Sequence, residues 1–239
     1  MHYGDDIIMK IILRRRFSMN NKLKRIIMSV AGVTLGGLSV GMFKLAAFGV
    51  DPFQSFMSGL EQLVPIPFGT LYIIVNALLL IFSLAADRHY IGLATFINLF
   101  LLGYIVQFSH EALLGIFPDA SMTVRIIAII IAIVIMCFAS SAYMTADLGV
   151  STYDAVALIL ANKWKIGKFK YIRICTDAVC IIIGAALFLL GKGKPADIPT
   201  FIGVGTIVTA FFMGPLIEFF NRTVWLPFLE GKKTGSVEK

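Results

Sequence analysis

Arg173 and Asp177 stand four residues apart in the apolar run "YIRICTDAVCIII", a spacing that stacks them on one helix face. An ionisable side chain in such a run is costly to hold in lipid and faces a cavity or a partner. Two roles remain open for the pair: Asp177 binding a solute or carrying a coupling ion, or a structural ion pair with Arg173. Two polar helix starts one hundred residues apart add candidates, Asp51-Pro52-x-Gln54 and Ser151-x-x-Asp154. Each offers an N-cap followed three residues on by a side chain able to reach back, the capping-box arrangement. With Tyr153 inside the second start and Asn76 in its own apolar run, the candidate path is Asp177, Arg173, Asp154, Asn76, Gln54, Asp51 and Tyr153. Asn98, Thr95 and Thr206 are secondary candidates, the two threonines each just after a glycine and suited to satisfying backbone.

Other chemistries lack their residues. There is no GxxxxGK[ST] phosphate loop and no HExxH, and no polar region is large enough for a catalytic domain. Cys137, Cys175 and Cys180 lie in apolar runs without CxxC spacing or a nearby histidine, and read as small buried hydrophobes. The expectation is therefore no enzyme, no catalytic residue, no metal and no cofactor.

The elements that position the candidates are membrane spans. Of 239 residues, 58% are hydrophobic and 15% charged, with a mean hydropathy of +0.87, too little polar surface to cover a soluble globule. About 20 apolar residues cross a bilayer as a helix. Six stretches qualify, approximately 26–47, 69–86, 91–116, 124–147, 170–190 and 199–220. Prolines fall between or at the edges of these runs, apart from Pro215. The net charge of +7 comes from short clusters between apolar runs, with no basic face for nucleic acid. Placing both termini in the cytosol puts 17 of the 21 Lys and Arg residues inside and leaves Lys44, Arg125, Lys192 and Lys194 outside. Met9 and Met19 are further candidate starts, and "IIMKIIL" is too short for a signal-peptide core.

The chain repeats itself. "AFGVDPFQSFMSGL" near residue 47 is answered by "DLGVSTYDAVALIL" near 147. In a register of one hundred, Arg25, Ile26, Ile27, Ala46, Gly49, Val50, Leu60 and Ile66 recur. "IGLATFINLFLLGYIVQF" (91–108) and "IGVGTIVTAFFMGPLIEF" (202–219) match at a register of 111, and Asn76 falls opposite Asp177. The unit is a long span, a short capped helix and two more spans. Three spans per unit force the second copy to enter from the opposite side, which predicts an all-α membrane protein of two inverted three-helix repeats. The divisions are a basic cytosolic segment 1–25, repeats 26–116 and 117–220, and a cytosolic tail 221–239. Asn76 and Asp177 then approach the same depth from opposite faces. The short helix after Asp51 is about 18 Å long, too short to cross. It either lies flat at the interface or dips into the protein with its N-terminus aimed at a cavity, where it suits a small polar or anionic solute.

Lys44, Tyr143, Asn98, Gln107 and Glu218 fit either a path lining or, for Lys44, Gln107 and Glu218, interfacial snorkelling, while His110 and Glu111 read as solvated outer-edge residues. In "GVTLGGLSVG", Gly32, Gly36, Gly37 and Gly41 keep the small-xxx-small spacing of close helix contact, within the chain or in a homodimer.

Taken together, "GVDPFQSFMSGL", "LGVSTYDAVALIL", "RICTD" and "GVGTIVTAFFMGPLIEFF" make residues 25–220 resemble the YczE-like (YczE/YyaS/YitT-type) bacterial integral membrane proteins. The resemblance implies a multi-pass protein of the cytoplasmic membrane regarded as a permease. The first repeat departs from the second at Ala94, opposite Gly205, and at Tyr104, opposite Pro215. The leading expectation is a small-solute transporter without its own ATPase. A substrate-capture subunit of a multi-subunit importer, and a membrane scaffold or regulator acting through helix or cytosolic contacts, are the alternatives.

Overall fold

The computed structural model describes residues 20–167 and 169–230, and most of the basic segment 1–25 and the end of the tail lie outside them. Among the described residues every regular element is helical. Helix α1 spans Asn20–Ala46, α2 Pro52–Leu63, α3 Phe68–Ala86 and α4 Leu93–Ile116, the last with a π turn at Asn98–Leu102. Helix α5 spans Met122–Ala146, α6 Thr152–Leu158 with a π turn at Ile159–Lys163, α7 Phe169–Leu190 and α8 Val204–Phe220. A π turn at Asn221–Trp225 leads into α9, Leu226–Glu230. Helix therefore continues ten residues past the expected end of the last span at 220.

Five helices, α1, α3, α4, α5 and α7, are long and apolar enough to cross a bilayer. The sixth expected span is not one straight rod. Val204–Ala210 and Pro215–Leu229 meet at 53°, and residues 195–200, whose end was anticipated as the start of this span, form a 3-10 turn. The bend falls where Pro215 withholds the amide that would bond one turn back.

The helix ends are capped by groups far away in sequence. Arg125 donates from Nε to Ala46 O (2.7 Å) and from Nη2 to Ala47 O (3.1 Å), closing the C-terminus of α1. Arg25 donates from Nη1 to Ala146 O (2.6 Å) at the C-terminus of α5. A guanidinium at a helix C-terminus satisfies orphan carbonyls and opposes the negative dipole end. Just beyond, Ala47 and Asp147 take φ of 52° and 51°, and Gly49 and Gly149 take 101° and 109°. The loop after α1 then docks on the start of α8: Gly49 N donates to Thr200 O, Val50 N to Phe201 O and Gly205 N to Phe48 O. The loop after α5 docks likewise on the start of α4, Val150 N donating to Tyr90 O and Ala94 N to Leu148 O. The bonds of Val50 and Gly205 relate to those of Val150 and Ala94 by the offsets of 100 and 111 residues seen in the sequence.

The glycine stripe of α1 packs inside the chain. A Cβ at Gly32 would lie 2.8 Å from Ala139 O on α5, and one at Gly37 2.6 Å from Ile105 on α4. Helix α2 is likewise interior, with Pro52, Phe53, Gln54, Ser55, Met57 and Gly59 buried. Gly184 of α7 meets it so closely that a Cβ there would sit 2.7 Å from Ser55 O. The cysteines divide: Cys137 is buried, whereas Cys175 is exposed, correcting the reading of all three as buried. On α7, Arg173 and Asp177 occupy the inward face, which turns Cys175 outward.

Candidate functional site

The two short helices bring their N-termini together. Asp51 Oδ1 caps α2 by accepting from Gln54 N (3.2 Å), with Pro52 in the first turn, where its missing donor costs nothing. Ser151 Oγ caps α6 by accepting from Asp154 N (3.1 Å) and itself donates to Asp154 Oδ2 (2.7 Å). The rings that follow the caps stack, Phe53 on Tyr153 at 4.9 Å and 24°. Tyr72 of α3 meets Phe53 edge-on at 6.1 Å. Val40, Met57, Phe68, Leu71 and Val106 pack with these rings in one apolar cluster that fixes both helix starts.

Against this cluster lies a cavity of about 440 Å³ to which each of α1–α8 contributes lining. All seven leading candidates line it: Asp51, Gln54, Asn76, Tyr153, Asp154, Arg173 and Asp177. Arg173 is the hub of its charged wall. It pairs with Asp154 and, from Nε, with Asp177 Oδ1 at 3.3 Å, and its guanidinium carbon sits 4.4 Å from the centre of the Tyr153 ring. Tyr153 donates its hydroxyl to Asp177 Oδ1 at 2.7 Å. The four-residue pairing of Arg173 and Asp177 is thus present, and Asp154 joins it. Asn76 Oδ1 accepts from Thr152 Oγ1, and its Nδ2 donates to Tyr72 O (2.8 Å).

The secondary candidates separate. Asn98 lines the cavity and accepts from the Tyr72 hydroxyl at 3.0 Å. Thr95 and Thr206 are not among the described lining residues; Thr95 Oγ1 donates to Val150 O (2.6 Å) and Thr206 Oγ1 to Phe201 O (3.3 Å). Each also accepts from the amide of the glycine three residues earlier, so both hydroxyls secure the docked loops. Lys44 is held by Glu61 at 2.9 Å and lies over the Phe68 ring, and Glu218 pairs with Arg222. Gln107 Oε1 caps α3 by accepting from Gly69 N (3.1 Å). Tyr143 does reach the cavity, with a buried hydroxyl that has no hydrogen-bond partner among the described residues.

The family described as "Family of unknown function (DUF6198)" matches residues 23–222. The chain belongs to that family. It is also 26% identical over 175 residues to "Uncharacterized membrane protein YczE" of Bacillus subtilis (strain 168), covering 72% of this chain and 74% of that protein. The YczE-like resemblance seen in the motifs stands on these two matches. No solved structure matches the chain.

In this DUF6198 protein the cavity lining falls into related positions. At offsets of 100 or 101, Asp51 answers Ser151, Phe53 Tyr153, Gln54 Asp154, Tyr72 Arg173 and Asn76 Asp177; at 111, Asn98 answers Thr209 and Leu102 Met213. All of them line the cavity. The two walls nevertheless differ in charge. One carries the bonded set Asp154, Arg173 and Asp177, and the other carries Gln54, Tyr72 and Asn76 at the same positions. The capping box expected after Asp51 forms only in its forward direction, because Gln54 Oε1, in a residue 3% exposed, has no hydrogen-bond partner among the described residues. Tyr72, Ser140 and Thr209 are polar lining residues that the sequence did not single out. Tyr72 had one signal, its placement one turn before Asn76.

Proposed function

We propose that this protein is a small-solute transporter without its own ATPase, carrying a small polar solute across the cytoplasmic membrane through the cavity between two inverted three-span repeats. The observation that carries this reading is the paired lining, in which related positions of residues 26–116 and 117–220 face one space. Two related half-sites around one cavity supply two similar gates, the recurrent design of secondary transporters. The reciprocal loop contacts and the matched positive-φ residues support the repeat itself. Helices α2 and α6 are the short broken elements such proteins place at a central site. In this reading both are re-entrant, both termini are cytosolic, and α8 with α9 forms the sixth span.

Asp177 is the residue on which transport turns. Its carboxylate is held by Arg173 and Tyr153, so protonation or solute contact at Asp177 changes the partners available to both. Asp177→Asn is expected to abolish or uncouple flux in proteoliposomes while leaving folded protein in the membrane. Unchanged flux would remove Asp177 from the mechanism. Copurification with an ATPase would instead make the chain a capture subunit of a larger importer.

A further inference from the structure

We propose that the cavity takes a small protonated amine, a primary or secondary ammonium, with Asp51 as its counter-ion and Gln54 Oε1 as its second acceptor. This rests on reading the cavity as a solute site and names the solute's chemistry. Among the described residues, three carboxylates line the cavity, those of Asp51, Asp154 and Asp177, against one guanidinium, that of Arg173. That guanidinium is already shared between Asp154 and Asp177. Asp51 has no ion-pair partner among the described residues. An anion would therefore meet excess negative charge and, among the described residues, no free cation. The positive end of α2 does not reverse this, because the Asp51 carboxylate already occupies the anion position at its start.

Gln54 is the independent observation. Its side chain is interior, and its carbonyl oxygen has no donor among the described residues. A buried acceptor without a donor is costly, and an N–H from a ligand relieves that cost. Gln54 stands three residues from Asp51, one turn along α2, so a carboxylate and a carbonyl border the same stretch of cavity. The Tyr143 hydroxyl, also buried and without a partner among the described residues, offers a third acceptor on α5. A site of carbonyl, carboxylate and hydroxyl oxygens selects a cation with N–H donors over a quaternary one. A cavity of about 440 Å³ limits it to a small molecule.

The test is calorimetric binding at pH 7 to the full chain in lipid nanodiscs, using benzylamine, benzyl alcohol, benzoate and benzyltrimethylammonium. Benzylamine is expected to bind tightest, with the quaternary analogue weaker and benzoate not binding. Asp51→Asn, which keeps a capping side chain, and Gln54→Met, which removes the acceptor at similar volume, are each expected to weaken benzylamine binding about tenfold or more. Thermal melts of both variants check that the fold survives, and either one alone suffices for the comparison. Tighter binding of benzoate, no binding of benzylamine, or benzylamine binding indifferent to the substitution in a folded variant would overturn the proposal. Benzylamine bound but not moved in proteoliposomes removes the transport reading and leaves this one; benzoate bound and moved does the reverse.

Discussion

Arg173 is held between two carboxylates, and removing one charge from such a set costs more than removing all of it. Arg173→Met is expected to destabilise the protein by about 3 kcal/mol, because Asp154 and Asp177 lose their shared cation. Adding Asp154→Asn and Asp177→Asn to it is expected to restore much of the loss, read as melting temperature in detergent. A triple variant no more stable than the single one would show that the three side chains do not act as a set. At this scale the sequence was informative where a polar or ionisable residue interrupted an apolar run, as at Asn76, Arg173 and Asp177. Tyr72 escaped because an aromatic in such a run looks like core, and nothing local says that its hydroxyl faces a cavity, whereas Tyr143, near the outer end of its span, was legible as path lining. Gln54 shows a subtler limit: the capping-box pattern permits its side chain to reach back, yet in the fold its carbonyl finds no donor among the described residues.

Short polar starts were legible as helix caps because the residue types carry the mechanism: Asp51 with Pro52, and Ser151 with Asp154. The π turns in α4, after α6 and after α8 have no such signature, and Asn98–Leu102 reads as ordinary apolar helix. The bend of α8 had a visible cause in Pro215 but no visible angle. Gly49 and Gly149 are each needed twice over, for a positive φ and for space, since a Cβ on either would lie 2.5 Å from a backbone nitrogen, of Gly203 or Gly92. Gly49→Ala and Gly149→Ala are each expected to cost about 1–3 kcal/mol in thermal melts, whereas Gly115→Ala, which meets nothing within 4 Å, serves as the tolerated control. Equal melting of all three would discard the docking role of the two loops. Arg125→Ala, which uncaps α1, is expected to lower stability by about 1–2 kcal/mol.

Across the whole molecule, the inverted arrangement proposed above would put residues 66 and 166 on opposite sides of the bilayer. Single cysteines there, in a background lacking Cys137, Cys175 and Cys180, are expected to react with impermeant maleimide from opposite faces of oriented vesicles. Labelling from one common face would dismiss the inversion. The sequence shows matching glycines and arginines at fixed offsets, but not where each loop docks, because backbone hydrogen bonds leave little trace in residue type. They turn out to be exchanged: residues 48–50 hold the start of α8, and 148–150 hold the start of α4. During synthesis, then, the loop after α1 must wait for some 150 further residues before its carbonyl and amides find their partners. A ribosome paused after α4 would carry an unfinished half, prone to quality-control proteases, and that half made alone should be short-lived in cells until the other is supplied beside it.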